Sequence, residues 1–207
     1  MYARSSMLQG DPQKVDAGIA YMRDEVMPML QRLDGFVGMS MLVARDTGRG
    51  IVTTAWQSAE AMGNSEDAVL DARQQAAARV GSGAPTIDRW EIAVMHRAHE
   101  GHDGECARVI WNEGDPANAD ENLSRFRTEM LPRIEQLPGF CSLSLLIDRD
   151  RGRSAITVTY DSRQEMQRVS AQAAALREEF SRTQHTRVVD IAEFDVVLRH
   201  LRVPELV

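Results

Sequence analysis

The sequence predicts an α+β chain in which one module of about a hundred residues is written twice, each copy running β-α-β-β-α-β. Three observations predict it. The chain matches itself at an offset of 104: Ala3-Arg4 falls on Ala107-Arg108, Gly10-Asp11-Pro12 on Gly114-Asp115-Pro116, Gly35-Phe36 on Gly139-Phe140, and Arg45-Asp46 on Arg149-Asp150. No gap is needed until roughly residue 80, after which an offset of 102 pairs Glu91 with Glu193 and Arg97 with Arg199. Within each copy, apolar residues switch between the two-residue spacing of strands and the three-to-four-residue spacing of helices in the same order. Finally, two helices cover only one face of a four-stranded sheet. Its other face would be an apolar patch too large for a solitary domain, which a second copy covers by packing sheet to sheet.

Each element follows from local chemistry. Residues 3–8 and 107–112 are short strands that end at the Gly-Asp-Pro turns. Val15, Ile19, Met22, Val26, Leu30 and Leu33 mark one face of the first helix, as Leu123, Phe126, Met130, Ile134 and Leu137 do in the second copy. Pro28 and Pro132 fall late in these helices, where a kink or tightened turn is expected. Gly35 and Gly139 mark the exits. Val37, Met39, Met41 and Val43 then alternate on one strand face, as do Cys141, Leu143, Leu145 and Ile147. The turns RDTGRG and RDRGR join these strands to IVTTAW and AITVTY as hairpins. Ser58 and Ser162 start second helices of about twenty residues, and Ser162 with Glu165 fits a capping box. IDRWEIAVMHR and VVDIAEFDVVLR close the copies. The order is that of two tandem ferredoxin-like modules. They occupy residues 1–98 and 106–207, with the polar, glycine-bearing stretch 99–105 as linker.

Composition excludes several functions. A net charge of −7 argues against a nucleic-acid partner, which needs a basic patch. The basic residues are almost all arginine and scattered, with Lys14 the single lysine. No run of about 18 apolar residues occurs, so no membrane partner is expected. The first residues lack the apolar core of a signal peptide, and two cysteines do not make a secreted disulfide framework. The expected location is cytoplasmic.

The pattern Glu-x-x-Pro-x-x-x-x-Leu-x-Gly-Phe, in EVMPMLQRLDGF and in the similar EMLPRIEQLPGF, occurs with an aromatic-x-Ser start to each second helix. The combination resembles the antibiotic-biosynthesis-monooxygenase-like modules of the dimeric α+β barrel superfamily. The resemblance spans almost the whole chain and rests on turns and core positions. Members pair as homodimers, so it implies a pseudo-dimer within this one chain, with a further homodimer left open. It also implies a small-molecule oxygenase-like enzyme, a cofactor-independent monooxygenase acting on an aromatic or polyketide-type compound. The alternative is a non-catalytic small-ligand-binding or structural barrel. No cofactor is assigned. Neither second helix carries a histidine, which weighs against a haem enzyme with a helix-borne ligand.

Candidate ligand-binding residues follow from the copies' differences. Asn112 lies near the end of a first strand, where family members can carry an asparagine, and it corresponds to Leu8. Trp56 ends the third strand of the first copy, opposite Tyr160 of the second. Leu176 and Phe180 in the second copy become Ala72 and Ala76 in the first. That trimming removes core volume and leaves a cleft unless Trp90 and the methionines, nine of which lie in the first half, fill it. Arg4 and Arg108 occupy equivalent strand positions, where each holds either an anionic or phenolic ligand or a neighbouring carboxylate. His96, His99 and His102 recur every third residue with Asp103 and Cys106 beyond. The spacing misses the HExxH pattern and glycines interrupt it, so a solvated tether is expected and no metal site is assigned.

Overall fold

The computed structural model describes the backbone of residues 1–207 and every side chain except that of Leu201. The first copy runs β1 (Tyr2–Gln9), α1 (Val15–Tyr21), a π-helical turn (Met22–Val26), α2 (Met27–Leu30), β2 (Phe36–Ala44), β3 (Arg49–Trp56), α3 (Ala59–Asn64), α4 (Glu66–Val80) and β4 (Thr86–Arg97). The second runs β5 (Cys106–Glu113), α5 (Ala119–Arg125), a π-helical turn (Phe126–Met130), α6 (Leu131–Glu135), β6 (Phe140–Asp148), β7 (Arg153–Tyr160), α7 (Arg163–Arg168), α8 (Ser170–Thr183) and β8 (Arg187–Leu201). The strands are hydrogen-bonded in the order β1-β3-β2-β8-β5-β7-β6-β4 as a closed antiparallel barrel. Among the described residues no helix is long and apolar enough to cross a membrane.

The expected kinks take the form of π turns. Proline has no N–H and its ring crowds the carbonyl four residues back, so the ladder widens just before Pro28 and again before Pro132. Ser58 and Ser162 cap the second helices as anticipated, accepting from the Ala61 and Glu165 amides at 3.0 and 3.2 Å. Those helices are not continuous, however. Each breaks after one and a half turns, at Ser65 and at Val169. The cause is long-range: the Arg4 guanidinium donates to the Met62 carbonyl, and Arg108 donates to the Met166 carbonyl. A strand-borne cation thus satisfies carbonyls that a continuing helix would have used.

β2 and β6 each carry a register shift beside the first residues of the strand, between Phe36 and Gly38 and between Phe140 and Ser142. The strict alternation expected there therefore fails at Val37 and Cys141, since a bulge re-aims the extra residue.

The chain divides into two compact units, Met1–Glu91 with Phe194–Val203, and Ile92–Glu193 with Pro204–Val207. In the first unit Leu30, Met39 and Trp56 centre the core; in the second Phe126, Leu143, Tyr160 and Met166 do so. The β2–β3 turn of the first unit is tied to the β1 exit by Gly10 N–H donating to the Gly48 carbonyl at 3.0 Å. Gly48 has φ +74°, and a Cβ there would meet the Gly10 carbonyl oxygen at 2.2 Å. Gly48→Ala is expected to cost at least about 2 kcal/mol, the left-handed penalty alone being about 1–2. Urea unfolding checks this, and a loss under about 0.5 kcal/mol would show that the turn relaxes freely.

Candidate functional site

In each unit a cavity lies between sheet and helices, and corresponding residues form its walls. The first-unit cavity, about 470 Å³ including its mouth, is lined by Arg4, Ser6, Thr54, Ala72, Arg73 and Ala76 among others. Arg4, Ala72 and Ala76 are therefore brought together. Trp56 and Trp90 do not line it, although the Arg4 guanidinium stands 5.9 Å from the centre of the Trp56 ring. Trp56 is wholly buried, donates from Nε1 to Thr54 Oγ1 at 3.0 Å and packs edge-on against Phe36. Trp90 pairs with Ala3 across β1–β4 and donates to Ser5 Oγ at 2.9 Å, on the strand face opposite Arg4 and Ser6. It neither fills the cavity nor lines it.

The second-unit cavity is about 550 Å³, lined by Arg108, Asn112, Tyr160, Leu176, Arg177 and Phe180 among others. It shares Asn112, Phe126, Ile156 and Phe180 with an adjoining space of about 630 Å³ that reaches the loops after β5 and β6. Trimming Leu and Phe to Ala has thus not made the first cavity the larger. The Arg4 guanidinium holds the α3–α4 junction to β1 through Ser65 Oγ at 3.0 Å and Glu66 at 2.8 Å. Arg108 reaches the equivalent junction with longer bonds, 3.2 Å to Ser170 and 3.5 Å to Met166.

The cations of the two sites are balanced differently. In the first unit Glu66, at the start of α4, contacts Arg4 at 2.8 Å, Arg73 at 2.9 Å and Arg89 at 3.3 Å. Burial pulls the Arg4 guanidinium down from its ordinary range to about 10 against the opposing pull of Glu66, so it remains charged at neutral pH. In the second unit the position of Glu66 is Ser170. Arg108 takes its carboxylate from β8 instead, with Glu193 Oε1 at 2.7 Å. Arg177, the counterpart of Arg73, is left without a hydrogen bond or ion pair among the described residues, although it lines the cavity. Burial lowers its pKa, and the nearby Arg108 lowers it further. Tyr160, fully buried, has its hydroxyl pKa raised by burial, so it stays protonated as a donor. Asn112 donates weakly to Ser154 Oγ at 3.5 Å.

This set can hold a planar anion: two guanidinium groups and a phenol at one end, an amide at the other, and apolar walls between. Of the residues lining this cavity, the sequence singled out Arg108 and Asn112 as candidates and did not single out Arg177 or Tyr160. The signal for Arg177 was present, since Arg73 and Arg177 align while their acidic neighbour does not.

No protein-family model matches the chain. It is 44% identical over 207 residues to the uncharacterized protein Rv2557 of Mycobacterium tuberculosis, covering all of this chain and 92% of that one. It is 43% identical over 208 residues to Rv2558 of the same organism, covering 88% of it. Among solved structures, an anthrone oxidase-like protein superposes with a TM-score of 0.71 at 14% identity, over 100% of this chain and 94% of that one. A ferredoxin-fold protein related to antibiotic biosynthesis monooxygenases, from Listeria monocytogenes, superposes at 0.53 and 7% identity, over 94% of each chain. The fold is that of the antibiotic-biosynthesis-monooxygenase-like α+β barrels, both modules in one chain.

Proposed function

The chain belongs to the family of the Mycobacterium tuberculosis proteins Rv2557 and Rv2558, and we propose from there that it is a small-molecule oxygenase-type enzyme whose site is the second-unit cavity. The substrate class is a planar aromatic that ionises at a phenolic oxygen. The observation that carries this reading is Arg177, a guanidinium without a counter-ion on the wall of a largely apolar space. Arg177 is only half-buried, but even partial withdrawal of an unpaired charge from water has a cost, which an anionic ligand offsets.

The chemistry needs little from the protein beyond binding. Arg177 and Arg108 would hold the phenolate oxygen, Tyr160 would donate to it, and the apolar walls would exclude water. An ionised, electron-rich ring then reduces O₂: at an anthrone-type carbon, CH₂ plus O₂ gives C=O plus H₂O. The anthrone oxidase-like neighbour supports this choice of probe through fold alone.

The test titrates the chain with anthrone and with a hydroxyanthraquinone, following thermal stability and oxygen consumption together. Saturating ligand at about 100 times Kd is expected to add about 2.7 kcal/mol of stability. Arg177→Gln is expected to weaken binding about tenfold or more, a charge-assisted hydrogen bond being worth about 1.5–3 kcal/mol. Equal binding by wild type and variant would remove the proposal. Binding without oxygen uptake would make the chain a ligand-binding barrel.

A further inference from the structure

The linker histidines, expected to be a solvated tether, do not stand alone. His99 and His102 lie against the start of β6 and the residue following β7, within the second unit. His99 Nε2 is 3.1 Å and His102 Nε2 3.5 Å from one oxygen, Asp161 Oδ1. A ring nitrogen of His99, a carboxylate oxygen of Asp161 and Cys141 Sγ all lie within 4.8 Å of one another. His96, by contrast, turns away to Glu135 and Glu205, and neither Asp103 nor Cys106 belongs to the group.

We propose that His99, His102, Asp161 and Cys141 form a zinc site. Four features support it besides proximity. In tetrahedral zinc with bonds of about 2.0–2.3 Å, ligand atoms sit about 3.3–3.8 Å apart. Both histidine-to-aspartate separations already lie near that range, and the thiol lies within 4.8 Å of the His99 and Asp161 ligand atoms. Each imidazole has its Nδ1 at 2.9 Å from a backbone carbonyl, His99 on Glu100 and His102 on Asp103. Donation there leaves the lone pair on Nε2, the nitrogen facing the carboxylate, and this is how ligand histidines are oriented. Neutral imidazoles in that tautomer turn two lone pairs toward one carboxylate oxygen, a repulsion relieved by a cation between them or by a second proton on the rings. Asp161 Oδ1 is itself buried and accepts no hydrogen bond among the described residues.

The fourth feature is the thiol. Cys141 is the bulge residue of β6, buried, and it donates to Glu105 Oε1 at 3.0 Å. Glu105 is buried as well. Binding Zn²⁺ would exchange the S–H bond for a Zn–S bond and release one proton to solvent. Thiolate and imidazole select zinc over magnesium or calcium. The corresponding residues of the first copy are Val37 and Gln57, so the site exists once per chain.

Cobalt is the probe. The untagged, metal-stripped full chain is titrated with Co²⁺, followed by Zn²⁺ competition against a chromophoric chelator. The expected result is one equivalent of cobalt with a thiolate-to-metal charge-transfer band in the near ultraviolet, abolished by zinc. Cys141→Ser should remove that band. His99→Asn, an exposed change that leaves the core alone, should weaken zinc at least about tenfold, the smallest loss usual even for residues that only support a ligand. Absence of the band, its persistence in Cys141→Ser, or unchanged zinc affinity in His99→Asn would each overturn the site.

Discussion

Ser170→Glu is expected to weaken binding of phenolic anions in the second-unit cavity by about 100-fold while leaving the fold intact. The two copies supply the reason. At the equivalent place Glu66 reaches Arg73 across two turns of α4 at 2.9 Å. Residue 170 stands at the same spacing from Arg177, at an exposed helix start where a carboxylate also suits the helix dipole. A glutamate there would supply the counter-ion that Arg177 lacks and repel an incoming anion. That fall in affinity corresponds to about 2.8 kcal/mol at about 1.4 per tenfold. Isothermal titration with a hydroxyanthraquinone measures it, with circular dichroism to confirm folding. An unchanged Kd would mean that Arg177 does not recognise the ligand.

Arg4→Met is expected to be the most destabilising substitution on the first cavity wall, by about 3 kcal/mol, at the lower end for breaking a buried ion pair. The side chain is 2% exposed and binds three groups at the α3–α4 junction: Ser65 Oγ, the Met62 carbonyl and Glu66. Methionine keeps most of the volume, so the loss reads the charge and its bonds rather than a hole. It is not larger because Glu66 retains Arg73 and Arg89, and the Met62 carbonyl still accepts from Ser65 Oγ at 2.8 Å. Urea denaturation measures the change. A loss below about 1 kcal/mol would show that the guanidinium merely repays its own desolvation.

The repeat, the element order and the helix caps were legible because they depend on residues close in sequence. Ser58 and Ser162 announce their helices, and the duplicated glycines their turns. The breaks at Ser65 and Val169 were not legible, because the groups that cause them, Arg4 and Arg108, lie about sixty residues earlier on strands. The bulge at Cys141 was hidden for a related reason: alternating apolar residues look regular until the pairing strand is known. Of the cavities, Arg4, Ala72 and Ala76 share one and Arg108 and Asn112 the other, but comparing apolar volume pointed to the wrong contrast between copies. The informative difference is one of charge, Glu66 against Ser170. His99 and His102 were visible as ligand types, while their partners Cys141 and Asp161 come from about forty and sixty residues further on.

Neither compact unit is a contiguous stretch of gene. The first incorporates Phe194–Val203 from the far end of the chain, including a wholly buried Phe194 and the segment of β8 that pairs with β2. A recombination event that split the reading frame at the linker would strip the first unit of part of its core and leave the edge of β2 bare, where unpaired backbone invites aggregation. Once the fused copies traded their closing segments, inheritance of one without the other ceased to be an option, and each was free to change only in the presence of its twin.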